Sequence, residues 1–230
     1  MLPGPEPQIK NVAKPAGEKP RGVRGLWRKI GEYVGIFRQN GVVAPVFLAV
    51  SLVTFVIQVV PGWRDELIFD RGAFEAGEWW RLWTGNLVHF GWPHFLADTA
   101  FFLIIGWFME GGARWLARVG LLFMPVAVTG TVYLFDPEMT RYAGLSGINV
   151  GFLVFLALVG WEKTPRDWLW AAALGLHVAE VTLEAVWGHG MVMFDDSNVR
   201  VATIAHVGGA AYGLVAWGWW KRRQRGRRPG

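Results

Sequence analysis

The chain is 230 residues long, 53% hydrophobic, with 15 Trp, no Cys and a formal net charge of +5. Without cysteine there is no disulfide framework, no thiolate metal site and no cysteine nucleophile. Lys and Arg gather toward the two ends of an apolar middle, so the charge reads as membrane-orienting and no nucleic-acid partner is expected.

In chain order, residues 1–40 carry Pro, Gly, Lys and Arg without a long apolar run. They read as a basic cytoplasmic tail, solvated or lying on the membrane through "RGLWRKIGEYVGIF", with no cleavable signal ahead of the first span. Apolar stretches of about 17–21 residues then recur, each enough for a hydrocarbon core of roughly 30 Å. The expected spans are Val42–Val60, His94–Met109, Trp115–Phe135, Gly144–Trp161, Trp168–Gly188 and Val201–Trp220. The second is the weakest because Asp98 lies inside it. Between the first two spans, Pro61–Pro93 is too polar to cross, and its Trp79, Trp80 and Trp83 suit a headgroup-level element. The predicted architecture is an all-α membrane bundle of six transmembrane helices over 41–220, followed by a basic cytoplasmic tail at 221–230.

Six spans put both termini on one side. Eighteen of the 23 Lys/Arg fall on the tails and the two short connections of that side, leaving Arg64, Arg71, Arg81, Arg141 and Arg200 opposite. Both ends are therefore expected in the cytoplasm. The second, fourth and sixth helices then run inward, and His94, Ser146 and His206 each lie about 15–16 residues above the charge that ends their helix. At 1.5 Å per residue all three reach roughly 22–24 Å above the inner boundary. Polar groups in a membrane are costly and mark sites or cavities, and here three share one depth.

For Ser146 to act as a nucleophile, a base must come within about 3 Å of its hydroxyl. Helices pack that closely when small residues line their interface. The fourth helix offers Gly147 and Gly151; the sixth, "HVGGAAYG", offers Gly209 and Gly213 at the same spacing. Each polar residue thus heads a glycine seam.

With these motifs in order, "GEWWRLWTGNLVHFGWPH", "GLSG" and "HVGGAAYG", the chain resembles the rhomboid family of intramembrane serine proteases. The resemblance covers about residues 42–220. It implies Ser146 as nucleophile, His206 as general base without a carboxylate, and Trp80 and Arg81 in a partly embedded first loop. The implied reaction is hydrolysis of a peptide bond in or beside a membrane span of a membrane-anchored protein, through an acyl-enzyme, with no metal or cofactor.

The family pairs His with Asn on the second helix to stabilise the oxyanion, whereas "HFLAD" supplies His94 and Asp98. Three readings stay open for that hole: a protonated Asp98 that donates, His94 with the Ser146 N–H alone, or Asn149 donating from a new direction. A fourth is an inactive relative that binds membrane clients. On the fifth helix His177, Glu180 and Glu184 share a face. Glu180 and Glu184 read as a pair of neutral, hydrogen-bonded acids facing the bundle or the cavity, against metal ligation, a proton relay or a carboxylate orienting His206. "LFDPEMTRYAGLSG" is most like the rhombosortase branch, which implies a bacterial inner membrane enzyme processing Gly-Gly-type C-terminal sorting tails on the periplasmic side. Val150 stands where that branch usually carries His.

Overall fold

The computed structural model describes residues 44–163, 168–187 and 202–226. The expected tail at 1–40 lies outside the described residues. The chain is mostly helical. Helix α1 (Pro45–Val59) is followed by short helices α2 (Trp63–Leu67), α3 (Arg71–Glu75) and α4 (Arg81–Thr84), and by a 3-10 turn at Gly85–Leu87. Then come α5 (Trp92–Gly112), α6 (Arg114–Phe135), α7 (Ser146–Lys163), α8 (Trp168–Trp187) and α9 (Thr203–Gly226). By length and composition α5, α6 and α7 can each cross a membrane, and α1 is a shorter apolar helix.

Pro93 lies in the first turn of α5, where its missing N–H costs nothing. The helix therefore starts two residues before the expected His94 and runs on to Gly112, with Asp98 inside it. The sixth helix differs most. Lys221, Arg222, Arg223 and Arg225 continue α9 to Gly226 rather than leaving it at Trp220. Arg and Lys are good helix formers. Arg223 also lies over the Trp219 and Trp115 rings at 4.1 and 5.0 Å, and Lys221 pairs with Glu162.

Helix α7 is the axis of the bundle. Every residue from Gly147 to Ala157 is buried, and the helix packs against α5, α6, α8 and α9. The flanking helices bury one side only: Leu48, Leu52 and Phe55 of α1, Leu122, Phe123 and Leu134 of α6, and Leu214 and Val215 of α9 are exposed. Apolar side chains on both the inner and outer surfaces are what a helix needs when lipid is its solvent.

The segment after α1 is tied down by one guanidinium. Arg81 is buried, and its Nη1 donates to the Asp65 and Ile68 carbonyl oxygens at 2.9 and 2.7 Å, while Nε donates to Glu78 Oε2 at 2.6 Å. Trp79 and Trp80 beside it are exposed. Arg81→Ala leaves two carbonyls and a carboxylate without their donor, at an expected cost of about 2–4 kcal/mol. A lowered melting temperature in detergent checks this; an unchanged melt would mean that other contacts hold the loop.

A two-residue antiparallel ladder couples this loop to the entry of α7. Strand β1 (Phe69–Asp70) pairs with β2 (Arg141–Tyr142), Phe69 opposite Tyr142 and Asp70 opposite Arg141. Asn86, fully buried, locks the loop to α6: its Nδ2 donates to Thr129 Oγ1 at 2.8 Å and to the Pro125 carbonyl at 3.2 Å.

Candidate active site

Ser146 is the first residue of α7 and is half-buried. The turn that delivers it bends at Gly144, whose φ of +124° lies in a region that side-chain-bearing residues avoid. An added Cβ there would also meet His94 Nε2 at 2.8 Å and Asp98 Oδ2 at 3.2 Å. The turn is held from both sides: Gly144 N–H donates to the Gly85 carbonyl at 3.3 Å, and the Tyr142 hydroxyl donates to the Gly144 carbonyl at 3.1 Å. Burial pushes the Tyr142 phenol above its ordinary range, so it stays a neutral donor. Ser146 begins the helix, and the first N–H groups of a helix lack intrahelical partners and favour negative charge.

His206 is buried in the first turns of α9. Helices α7 and α9 meet backbone to backbone along their glycines. A Cβ built on Gly209 would fall on the Gly147 carbonyl oxygen, one on Gly213 on the Gly151 carbonyl oxygen, and one on Gly151 2.8 Å from the Gly209 carbonyl oxygen. On Gly147 it would lie 3.1 Å from the Ala205 carbonyl oxygen. Gly147 follows Ser146 and Ala205 precedes His206, so Ser146 and His206 leave adjoining levels of the interlocked pair. The imidazole of His177 on α8 packs against the His206 ring, centroids 5.3 Å apart at 69°. The side chains of Glu180 and Glu184 lie outside the described residues.

His94, on the first turn of α5, lies across the Gly144 turn from the head of α7. Its Nδ1 accepts from the Phe90 N–H at 3.4 Å, and its Nε2 is 3.2 Å from Asp98 Oδ2 one turn on. The same Asp98 oxygen lies 3.4 Å from Nε2 of His89, a residue that is fully buried just before α5. Burial pushes the His89 imidazole below its ordinary range, which keeps it neutral near pH 7. Asp98 is thus flanked by two imidazoles. Asn149 is buried one turn below Ser146, and its Nδ2 donates to the Asp98 main-chain carbonyl at 3.0 Å. That hydrogen bond ties α7 to α5 and leaves the second amide N–H of Asn149 uncommitted by it.

Sequence reasoning missed His89. The signal was in "NLVHFGWPH", where a second histidine stands five residues ahead of His94. It lies in a loop, so no helical spacing linked it to Asp98. The Tyr142 latch on Gly144 was equally silent, because it depends on the β1–β2 pairing. A family model described as Rhomboid domain matches residues 76–224, a span that holds His89, His94, Asp98, Ser146 and His206.

Proposed function

This chain belongs to the rhomboid family of intramembrane proteases and is an integral membrane protein, and from that premise we propose that it is an active serine endopeptidase working by a Ser146–His206 dyad. The observation that carries the reading is the glycine interlock of α7 and α9, which leaves no side-chain volume between the two backbones at the level of Ser146 and His206.

In the proposed reaction Ser146 Oγ attacks the scissile carbonyl while His206 takes its proton. His206 returns that proton to the departing amine, and a water then hydrolyses the acyl-enzyme by the same route. The oxyanion forms against the N–H groups at the head of α7 and the ring of His94. His177 packs against the His206 ring in a T-shaped contact, which supports a general base held in a fixed place. Asp98 stands between the rings of His89 and His94, and Asn149 fixes the spacing of α5 and α7 through the Asp98 carbonyl.

The substrate class follows from the resemblance of the segment before Ser146: C-terminal sorting tails with a Gly-Gly motif, an apolar span and basic residues. The bundle is proposed to cross a bacterial inner membrane six times, with both termini in the cytoplasm and the dyad opening to the periplasmic side. The Lys and Arg distribution supports that orientation.

Asp98 favours one alternative, a catalytically silent relative that binds membrane clients, since a carboxylate near the oxyanion repels it. Asp98→Asn separates the two. The protease reading expects cleavage of a membrane-anchored Gly-Gly tail reporter to be retained or raised, up to about tenfold, because an amide replaces a charge near the oxyanion. The silent relative binds the reporter, leaves it uncut in both wild type and Asp98→Asn, and is indifferent to Ser146→Ala.

A further inference from the structure

We infer that His89, His94 and Asp98 form a binding site for one divalent transition-metal ion of the zinc class, and that the bound ion silences the site by capturing the His94 ring nitrogen. The second half rests on the proposed dyad; the first stands on the cluster alone. The resemblance implies no metal; His89, in a loop, joins His94 and Asp98 only through the fold.

One donor atom from each of the three residues lies within 4.8 Å of the other two. A zinc ion with bonds of about 2.0–2.1 Å in a tetrahedral shell holds its donors about 3.3 Å apart. Two of the three edges here have that length, 3.4 Å from His89 Nε2 to Asp98 Oδ2 and 3.2 Å from His94 Nε2 to the same oxygen. The third is no longer than 4.8 Å, so a ring movement of about 1.5 Å closes the triangle.

These distances are not those of a finished hydrogen-bond network. His89 Nε2 and Asp98 Oδ2 are buried and neither has a hydrogen-bond partner among the described residues, although they face each other. Two imidazoles and one carboxylate, with a fourth position open, suit zinc or cobalt and not the oxygen-only shells of magnesium or calcium. His89 is sealed, but the His94 and Asp98 side chains are 11% and 12% exposed, which gives an ion a way in. The cost is the 3.4 Å Phe90 N–H contact, because a metal on Nε2 moves the ring hydrogen to Nδ1.

The consequence for chemistry comes from Gly144. Its turn, two residues before Ser146, passes so near His94 Nε2 and Asp98 Oδ2 that a Cβ on Gly144 would press on both. An ion held there takes the nitrogen that would otherwise meet the oxyanion and stiffens the turn that delivers the serine.

The test uses the full chain in detergent, stripped with a chelator and titrated with Co²⁺ and then Zn²⁺. We expect one Co²⁺ per chain with the visible absorption of a four-coordinate ion, displaced by Zn²⁺ and lost in His89→Ala and in Asp98→Asn. Zn²⁺ should lower fluorophosphonate labelling of the wild type at least tenfold, reversibly on chelation, and His89→Ala should need at least tenfold more Zn²⁺ for the same effect. The site is refuted if the wild type takes up no stoichiometric Co²⁺, a result independent of how any variant folds, or if both variants keep the spectrum. Labelling that ignores saturating Zn²⁺ overturns the inhibitory half. Absence of labelling in the metal-free wild type sinks the dyad, and with it the inhibitory half, while Co²⁺ uptake still decides the site.

Discussion

Ser146→Ala and His206→Ala are each expected to lower turnover of a membrane-anchored substrate by about 10³-fold or more while leaving the melting temperature near that of the wild type. The two groups act as one unit, so the double variant should be no slower than the worse single one. Stability should survive because neither residue carries the packing. Ser146 is half-buried at the head of α7, and the contact between α7 and α9 runs through Gly147, Gly151, Gly209 and Gly213. His206→Ala removes a buried ring and loosens its contact with His177, a loss of packing without a loss of the interlock. Substrate binding measured on Ser146→Ala should be unchanged. A Ser146→Ala enzyme that still cleaves would move the nucleophile elsewhere.

Gly209→Val carries the second large effect, and it acts through the backbone. Its first added carbon would coincide with the Gly147 carbonyl oxygen, so α9 must withdraw or α7 must bend. Backbone on backbone cannot relax by a rotamer change, and the expected destabilisation is about 3 kcal/mol or more. Separation of the helices also widens the gap between Ser146 and His206, so activity should fall at least 100-fold even in molecules that fold. Gly218→Ala is the control. It lies on the same helix with nothing within 4 Å of an added Cβ, and alanine favours the helix by up to about 1 kcal/mol. Equal melts and equal activities for Gly209→Val and the wild type would mean that the interlock does not set the site.

Much of this arrangement is legible in the residues because membrane spans announce themselves by length and the glycine seams by spacing. The helices Pro45–Val59, Trp92–Gly112, Arg114–Phe135 and Ser146–Lys163 fall within a few residues of the stretches read from hydropathy. Their ends moved for local reasons: Pro93 opening α5, Ser146 beginning α7 after the Gly144 bend, and Arg223 stacking on Trp219 to prolong α9. Contacts made by loops were not legible. Arg81 buried among three acceptors reads in sequence as one more interfacial charge, and Asn86 as a turn residue.

Asp98 gives the sharper lesson. Taken alone it is a carboxylate standing where a donor was wanted, which invites a protonated acid or a substitute donor at Asn149. In three dimensions a second imidazole, His89, stands on its other side, and the Asn149 amide is engaged with the Asp98 backbone. A one-dimensional motif lists neighbours along a helix, and this carboxylate is answered from a loop.

The most direct measurement is covalent capture. The detergent-purified protein is treated with a fluorophosphonate, digested, and the adduct located by mass spectrometry. A single phosphonylated residue at Ser146, formed in the wild type and lost in His206→Ala, is the expected result. An adduct at another residue, or labelling of Ser146 that proceeds undiminished without the His206 imidazole, contradicts a shared proton between the two.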